Sequence, residues 1–228
     1  MDVRTCSGTD GDIVNSDCVW YAAYGSNLFE KRFRYYRAGG NPPGTPRIYP
    51  GFRDPTPPAR NRPLMLPGCI YFAWESPVWS GGGVAFYSHR PPPRWPLGAA
   101  ARGYLLTVEQ FSDLMAQEMH RAPGEVPEFD PAEVVRQGML RLGDGRYETL
   151  WHVDDVDGFP VLTFSSPWDP EYTRLNKPSA RYLHMLAAGL HESHGWDADT
   201  IVGYLAELPG VQGNWLFDDL RILVHTQV

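Results

Sequence analysis

The chain has 228 residues, of which 43% are hydrophobic and 21% charged, and its formal net charge is −7. This length is enough to bury a sizeable core, and the composition is ordinary for a soluble globular protein. The negative charge argues against nucleic acid or a membrane surface as the main partner. No apolar run approaches the ~20 residues that a membrane span needs.

The N-terminal segment is polar and acidic and lacks the apolar stretch of a secretory signal. We therefore expect residues 1–17 to be a disordered lead-in and residues 18–228 to form a single domain. Cys6, Cys18 and Cys69 contain no C-x-x-C pair, and this sparse, odd count favours thiols in a reducing compartment over a disulfide framework. The sequence thus predicts a cytoplasmic protein and gives no oligomeric state.

The first half of the chain reads as strands around one short helix. Residues 19–24 form an apolar, β-rich run that ends at Gly25, which predicts a buried strand entering a tight loop. A helix is expected over 28–36, followed by a long irregular loop over 38–63 that is rich in Gly, Pro and Arg. Further strands are expected at 64–74, with a turn at Pro67–Gly68, at 83–88 and at 101–106.

The second half adds helices and a hairpin. We expect helices at 108–119, from 130 onward, at 179–194 and at 197–208, antiparallel strands at 146–153 and 159–165, and a last strand at 220–225. This order favours an α+β fold with a mostly antiparallel sheet or barrel over an alternating βαβ fold.

The helix at 108–119 carries the most informative pattern. Thr107 followed by Gln110 is the signature of a capping box. At about 100° per residue, Glu118 falls on the apolar stripe with Phe111, Leu114 and Met115, whereas Asp113 and Gln117 lie on the other side. A buried carboxylate suits a general acid or base, because burial raises its pKa. The alternative is that Glu118 bends into solvent or pairs with Arg121 or Arg102.

The loop Tyr24-Gly25-Ser26-Asn27 follows a strand and precedes a helix. Such a loop can expose consecutive backbone N–H groups to a carboxylate or an oxyanion. The alternative is a plain turn in which Asn27 caps the helix.

Other arrangements are weaker candidates. Ser26 lacks the G-x-S-x-G context of a nucleophile. His191-x-x-His194 is more typical of a helix C-terminus than of a zinc site, so we expect no metal and no cofactor. A cluster of three arginines in the long loop either contacts an acidic substrate or solvates the loop; its members are Arg53, Arg60 and Arg62.

Four segments, in order, resemble the γ-glutamylcyclotransferase-like proteins. Residues 21–28 (YAAYGSNL) are similar to that family's YGSNL signature. Residues 69–85 resemble its strand and Gly-Gly-x-Ala stretch, and residues 103–118 resemble its next strand and helix, with Glu118 at the position of the catalytic glutamate. Pro178-Ser-Ala-Arg-Tyr182, leading into a helix with Gly189, resembles its C-terminal Ser-x-x-Tyr element. In this chain Met115 and Met119 replace the usual Asp and Gly around the glutamate.

The resemblance implies a small closed or nearly closed β-barrel with peripheral helices. It also implies an enzyme of the amide-lyase class that acts on a small γ-glutamyl amide and releases 5-oxoproline and an amine. Glu118 would be the general acid/base, and Tyr24, Gly25, Ser26, Asn27 and Tyr182 would bind the substrate. Two alternatives stay open, namely amide hydrolysis or deacylation in the same pocket and a binding module without catalysis.

Overall fold

A computed structural model describes residue 6 and residues 17–45, 47–126 and 129–226. Apart from Cys6 and Asp17, the predicted lead-in 1–17 lies outside the described residues. By its internal contacts the chain divides into two compact units. Unit 1 comprises Met1–Ala23, Arg34–Arg62 and Gly103–Pro167, and unit 2 comprises Tyr24–Phe33, Pro63–Arg102 and Trp168–Val228.

The described residues contain eight strands and six α-helices. The strands are β1 (Cys18–Ala23), β2 (Arg60–Leu66), β3 (Cys69–Ala73), β4 (Val84–Ser88), β5 (Ala99–Thr107), β6 (Met139–Arg141), β7 (Thr149–Val156) and β8 (Phe159–Ser165). The helices are α1 (Glu30–Ala38), α2 (Val108–Glu118), α3 (Pro131–Gln137), α4 (Ala180–His194), α5 (Ala198–Glu207) and α6 (Phe217–His225). Most predicted elements are therefore present within a few residues of their expected bounds.

Six strands form one mixed sheet in the order β2-β5-β1-β8-β7-β6, and β3 and β4 form a separate antiparallel pair. β1 pairs with β8 in parallel, while β7 pairs with β8 and with β6 in antiparallel fashion. Mixed strands and helices confirm the predicted α+β class. The barrel is corrected to an open sheet, because within the described residues the hydrogen-bonded order ends at β2 and β6 and closes no ring.

Strand β1 lies in the interior of unit 1, where all six of its residues are buried. Tyr21 stacks on Phe164 of β8 at 5.3 Å between ring centroids and meets Phe111 of α2 edge-on at 5.9 Å. The apolar face of α2 thus packs against the sheet through aromatic rings, as the periodicity of its sequence predicted.

The cysteine prediction is wrong for two of the three residues. Cys6 and Cys18 form a disulfide across a separation of 12 residues, a pairing that the absence of a C-x-x-C motif does not exclude. Cys69 stays a free thiol and is buried, and burial raises its pKa to about 12. A thiol that stays protonated in this way is a poor nucleophile.

The expected strand at 220–225 is also wrong, because this segment belongs to α6. Leu220, Leu223 and Val224 are its buried residues, and their spacing of three and four positions is helical. Within the described part of the chain, no helix is both long enough and apolar enough to cross a membrane.

Candidate functional site

Helix α2 begins as the sequence predicted. The Thr107 side chain accepts from the Gln110 backbone N–H at 3.1 Å, and the Gln110 side chain accepts from the Thr107 N–H at 3.2 Å. Glu118 is the last residue of the helix and is partly exposed. The chain then turns at His120, whose φ is +59°. Met119, which replaces the family's usual glycine, has φ −80° and so needs no glycine.

The fully buried carboxylate of α2 is Asp113 and not Glu118. Its side chain has no exposed surface, and it accepts from the Arg53 backbone N–H at 2.8 Å, from Arg53 Nε at 2.9 Å and from the Gly124 N–H at 3.1 Å. The helix face that we expected to lie away from the core is therefore buried as well, against the loop that precedes β2. A buried carboxylate with this many donors is held as part of the structure.

Gln117, also buried, donates from Nε2 to the carbonyl oxygens of Tyr36 at 2.9 Å and Gly51 at 3.3 Å. The Arg47 guanidinium donates to the Gln117 carbonyl oxygen and lies 4.5 Å above the Tyr49 ring. This arginine therefore contacts the last turn of α2, one residue before Glu118.

His120 lies beside the same turn, and its backbone N–H donates to the Gln117 carbonyl oxygen at 3.2 Å. Burial lowers the pKa of His120, and the charges of Arg47 and Arg146 lower it further. Two arginines therefore lie within electrostatic reach of the C-terminal end of α2. Sequence reasoning missed this cluster because its members, Arg47, His120 and Arg146, are far apart in the sequence.

In unit 2, the loop at Gly25 is a tight turn. The Leu28 N–H donates to the Gly25 carbonyl oxygen at 2.9 Å, and Ser26–Leu28 form a short 3-10 turn before α1. Asn27 is buried in that turn and does not cap α1, which begins three residues later. Among the described residues, no group accepts a hydrogen bond from the Gly25 or Ser26 backbone N–H.

Tyr182 lies against this turn. Its hydroxyl oxygen accepts from the Ala85 N–H at 3.2 Å, and a Cβ built on Gly25 would lie only 3.1 Å from the same oxygen. The Ser179 side chain, which caps α4, accepts from the Tyr182 backbone N–H at 3.3 Å. The predicted Ser-x-x-Tyr element is thus a helix N-cap that brings the tyrosine to the glycine loop.

Aromatic and cationic groups surround Tyr182. The Trp79 ring lies 4.8 Å from the Tyr182 ring, and the guanidinium carbons of Arg32 and Arg181 lie 6.0 and 5.5 Å from the Trp79 centroid. Tyr24, the other predicted tyrosine of the site, is buried with its ring 6.0 Å from that of Tyr87.

The turn is backed by α4 and by a buried arginine. A Cβ built on Gly189 of α4 would lie 2.5 Å from Leu28 Cβ, so the helix backbone packs directly on the turn. Arg102, whose side chain is 6% exposed, pairs with Glu30 at 3.1 Å and with Glu192 at 3.0 Å. These contacts fix the C-terminal side of the loop within unit 2.

The histidines and arginines that were weaker candidates for the site form hydrogen bonds and ion pairs with nearby residues. Ring nitrogens of His191 and His194 lie 2.9 Å and 3.1 Å from the carbonyl oxygens of Trp196 and Ala101. Arg60 and Arg62 both pair with Asp157, and Arg53 pairs with Asp113. In the part of the chain that the structure describes, no group of three or more acidic, His or Cys side chains is arranged to hold a metal ion.

The structure brings together the predicted binding residues Gly25, Ser26, Asn27 and Tyr182 in unit 2, with Tyr24 at the start of the turn. It places the predicted general base, Glu118, in unit 1. In unit 1, Arg47 contacts the carbonyl oxygen of Gln117, the residue before that glutamate.

No protein-family model matches the sequence. Among curated proteins, a histone deacetylase of Arabidopsis thaliana ("Histone deacetylase 5") is 35% identical over 202 residues. That alignment takes in 79% of this chain but 29% of the deacetylase, so the chain spans less than a third of its relative.

Among solved structures, an uncharacterized human protein is 13% identical, with a TM-score of 0.48, over 92% of this chain and 99% of its own. A γ-glutamyl cyclotransferase is 14% identical over the same shares of the two chains, with a TM-score of 0.47. A yeast γ-glutamyl cyclotransferase specific to glutathione is 14% identical over 92% of this chain and 96% of its own, with a TM-score of 0.24. γ-Glutamyl cyclotransferases are therefore among the proteins that this chain resembles.

Proposed function

We propose that the chain is a γ-glutamyl cyclotransferase that cleaves a γ-glutamyl amide and releases 5-oxoproline and an amine. The observation that carries the proposal is the turn at Gly25 and Ser26, which is packed against the Tyr182 hydroxyl and backed by α4. The sequence of that turn also carries the most specific part of the family resemblance.

In this reaction the nucleophile is inside the substrate. The α-amine attacks the γ-carbonyl carbon, a five-membered lactam forms, and the bond from that carbon to the departing nitrogen breaks. No water is consumed and no protein nucleophile is required. The protein has to hold the amine and the carbonyl near attack distance, and such orientation can supply about 7–11 kcal/mol.

The Gly25 and Ser26 backbone N–H groups are suited to hold the developing oxyanion or the α-carboxylate of the substrate. Neither donates to another described residue, so a bound anion would not have to displace an existing hydrogen bond. Tyr182 and Tyr24, both buried beside the turn, form a wall and supply a hydroxyl at its edge. Asn27 is buried within the same turn.

We assign proton transfer to Glu118. The α-ammonium must lose a proton before attack, and the departing amine must gain one, so one carboxylate can perform both steps in turn. Two observations support this choice over Asp113. Glu118 is partly exposed, whereas Asp113 is fully buried and its oxygens are occupied by Arg53 and Gly124.

Product analysis tests the reaction. The purified chain is incubated with γ-glutamyl amino acids and γ-glutamyl amines, and products are identified by mass spectrometry. Release of 5-oxoproline is expected. Release of free glutamate would indicate hydrolysis, and a ligand-induced rise in melting temperature without any product would indicate a binding module.

The variant Glu118→Gln tests the base. It should lower turnover by about 10²-fold or more while the protein still folds and binds substrate. Glu133→Gln is the matched control, because this glutamate lies on another helix of unit 1, α3, and pairs with Arg136 of that same helix. Near-normal turnover by Glu118→Gln would rule out the assignment.

The second candidate function is amide hydrolysis or deacylation, with Glu118 activating water. The observation that favours it is the curated relative, whose name describes a deacetylase. An acetyl-lysine peptide distinguishes the two functions, because it has no γ-glutamyl amine to cyclise. Release of acetate that is lost in Glu118→Gln would favour the second candidate.

A further inference from the structure

The loop before β2 runs along the whole polar face of α2. We use the term strap for residues 47–56 of this loop, which lie within the long segment rich in Gly, Pro and Arg. Three buried polar residues of the helix contact the strap, at the helical spacing of i, i+3 and i+7. They are Gln110, Asp113 and Gln117.

The contacts occur in order along the helix. Gln110 Nε2 donates to the carbonyl oxygens of Asp54 and Thr56, each at 3.2 Å. Arg53 forms the ion pair with Asp113, with Nη2 at 2.9 Å from Oδ1, and the Gly51 carbonyl oxygen accepts from Gln117. The direction of the strap is therefore opposite to that of α2.

The last contact is made at the catalytic end of the helix. The Arg47 guanidinium donates to the Gln117 carbonyl oxygen, which also accepts from the His120 N–H. The Arg47 guanidinium packs against the Tyr49 ring at 4.5 Å, and the Tyr49 ring lies 4.6 Å from the Tyr36 ring. A cation at a helix C-terminus is favourable, because it satisfies carbonyl groups that have no partner within the helix.

We infer that the strap positions Glu118, with Arg47 as the positioning residue that fixes the last turn of α2. This inference rests on the proposed function and gives the long loop a role in it. Arg47 acts through the Gln117 carbonyl group, so it is not itself a catalytic residue. A displacement of about 1 Å in a catalytic group can lower the rate about 10²-fold, so the rate should be sensitive to movement of the helix end that carries Glu118.

Kinetics of Arg47→Gln test the inference. The variant should lower kcat about 10- to 100-fold and change KM less than about twofold, because the substrate-binding turn belongs to unit 2. The acidic limb of the kcat/KM profile should move to higher pH, since a cation near the general base is removed. Arg47→Lys, which keeps a charged donor, should recover part of kcat.

Arg141→Gln is the matched control, because Arg141 is an exposed arginine of the same unit that pairs with Asp144. Its kcat, KM and pH profile should equal those of the unaltered chain. The inference is overturned if Arg47→Gln has unchanged kcat. It is also overturned if the loss in kcat comes with an equal loss of thermal stability and no change in the pH profile.

A measurement without turnover separates this inference from the proposed function. Hydrogen exchange at Met119, His120 and Arg121 reports the last turn, since these N–H groups bond to carbonyl oxygens of residues 115–117. Arg47→Gln should speed their exchange about 10-fold or more and leave the middle of α2 unchanged. If the chain releases no 5-oxoproline, the proposed function fails, and unchanged exchange in this variant would separately refute the role of Arg47.

Discussion

The substitution Gly189→Ala tests the packing of the glycine turn on α4. Gly189 lies within α4, and a Cβ built there would lie 2.5 Å from Leu28 Cβ and 2.6 Å from Leu28 C and Phe29 N. Ordinary contact begins at 3.4 Å, so the nearest atom is 3.4 − 2.5 = 0.9 Å too close. Two of the three contacted atoms belong to the backbone of the turn and cannot rotate away.

The expected cost follows from two opposing terms. Alanine in place of glycine inside a helix stabilises by about 1 kcal/mol. Overpacking against a fixed neighbour costs about 1–3 kcal/mol, and contact with backbone places this case near the upper end. Gly189→Ala should therefore lower the free energy of unfolding by about 2 kcal/mol.

Gly203→Ala is the matched control. Gly203 also lies inside a helix of unit 2, α5, but a Cβ built there would meet no atom within 4 Å. This variant should gain about 0.5–1 kcal/mol from helix propensity alone. Urea denaturation followed by circular dichroism measures both variants, and they should differ by about 2–3 kcal/mol.

Activity gives a second readout of the same contact. If α4 and the turn separate to admit the new methyl group, substrate binding by the Gly25 turn weakens, so KM should rise in Gly189→Ala and stay unchanged in Gly203→Ala. Equal or greater stability of Gly189→Ala than of the unaltered chain would refute the reasoning, because the steric overlap at Leu28 would then have no energetic consequence.

Three further predictions concern single contacts. Gly25→Ala should weaken substrate binding, because the added Cβ would lie 3.1 Å from the Tyr182 hydroxyl oxygen. Tyr182→Phe removes that oxygen and should restore part of the binding in the double variant, whereas additive losses would contradict this. The pKa of His120 is lowered from 6.5, so the folded state binds fewer protons and the free energy of unfolding should fall as pH drops below about 6.5. That slope should diminish in His120→Gln, as followed by denaturation at several pH values. The Cys6–Cys18 disulfide predicts one reactive thiol after denaturation without reductant and three after reduction, as counted by alkylation and mass spectrometry.

Local signals in the sequence predicted most elements of the fold. The capping box at Thr107 acts within a few residues, and helices α2, α3 and α4 each begin within one residue of the expected position. The tail was misassigned because a short apolar run has no decisive period. Its helical spacing is clear only when the buried residues of α6 are known.

Long-range pairing was not predictable in the same way. The Cys6–Cys18 bridge depends on where the chain brings the two residues, and an odd count gives no pairing. Closure of the sheet depends on which strands become edges, and β2 and β6 stay at the ends of the order. Both features require knowledge of tertiary structure that local patterns do not contain.

For the candidate site, the motif predicted the turn and the tyrosine that meets it, but the amphipathic pattern of α2 was misread on one face. The sequence placed Asp113 and Gln117 on the side opposite the apolar stripe, and the structure shows that both are buried against the strap. A signal was available in the sequence, since polar residues at 110, 113 and 117 share a helical face and the long loop over 38–63 contains four arginines. Periodicity alone cannot say whether such a face meets water or a polar loop.

Two carboxylates of α2, Asp113 in the middle of the helix and Glu118 at its end, illustrate how position separates structural from chemical roles. Asp113 accepts hydrogen bonds from Arg53 and Gly124, and its side chain has no exposed surface, so its oxygens are not open to a substrate. Glu118 lies at the helix terminus, partly exposed, where the helix that carries it is held by Arg47. Asp113 stabilises the helix, and the helix in turn holds Glu118 in a defined position. If this division of roles holds, Asp113→Asn should act mainly on stability and Glu118→Gln mainly on turnover.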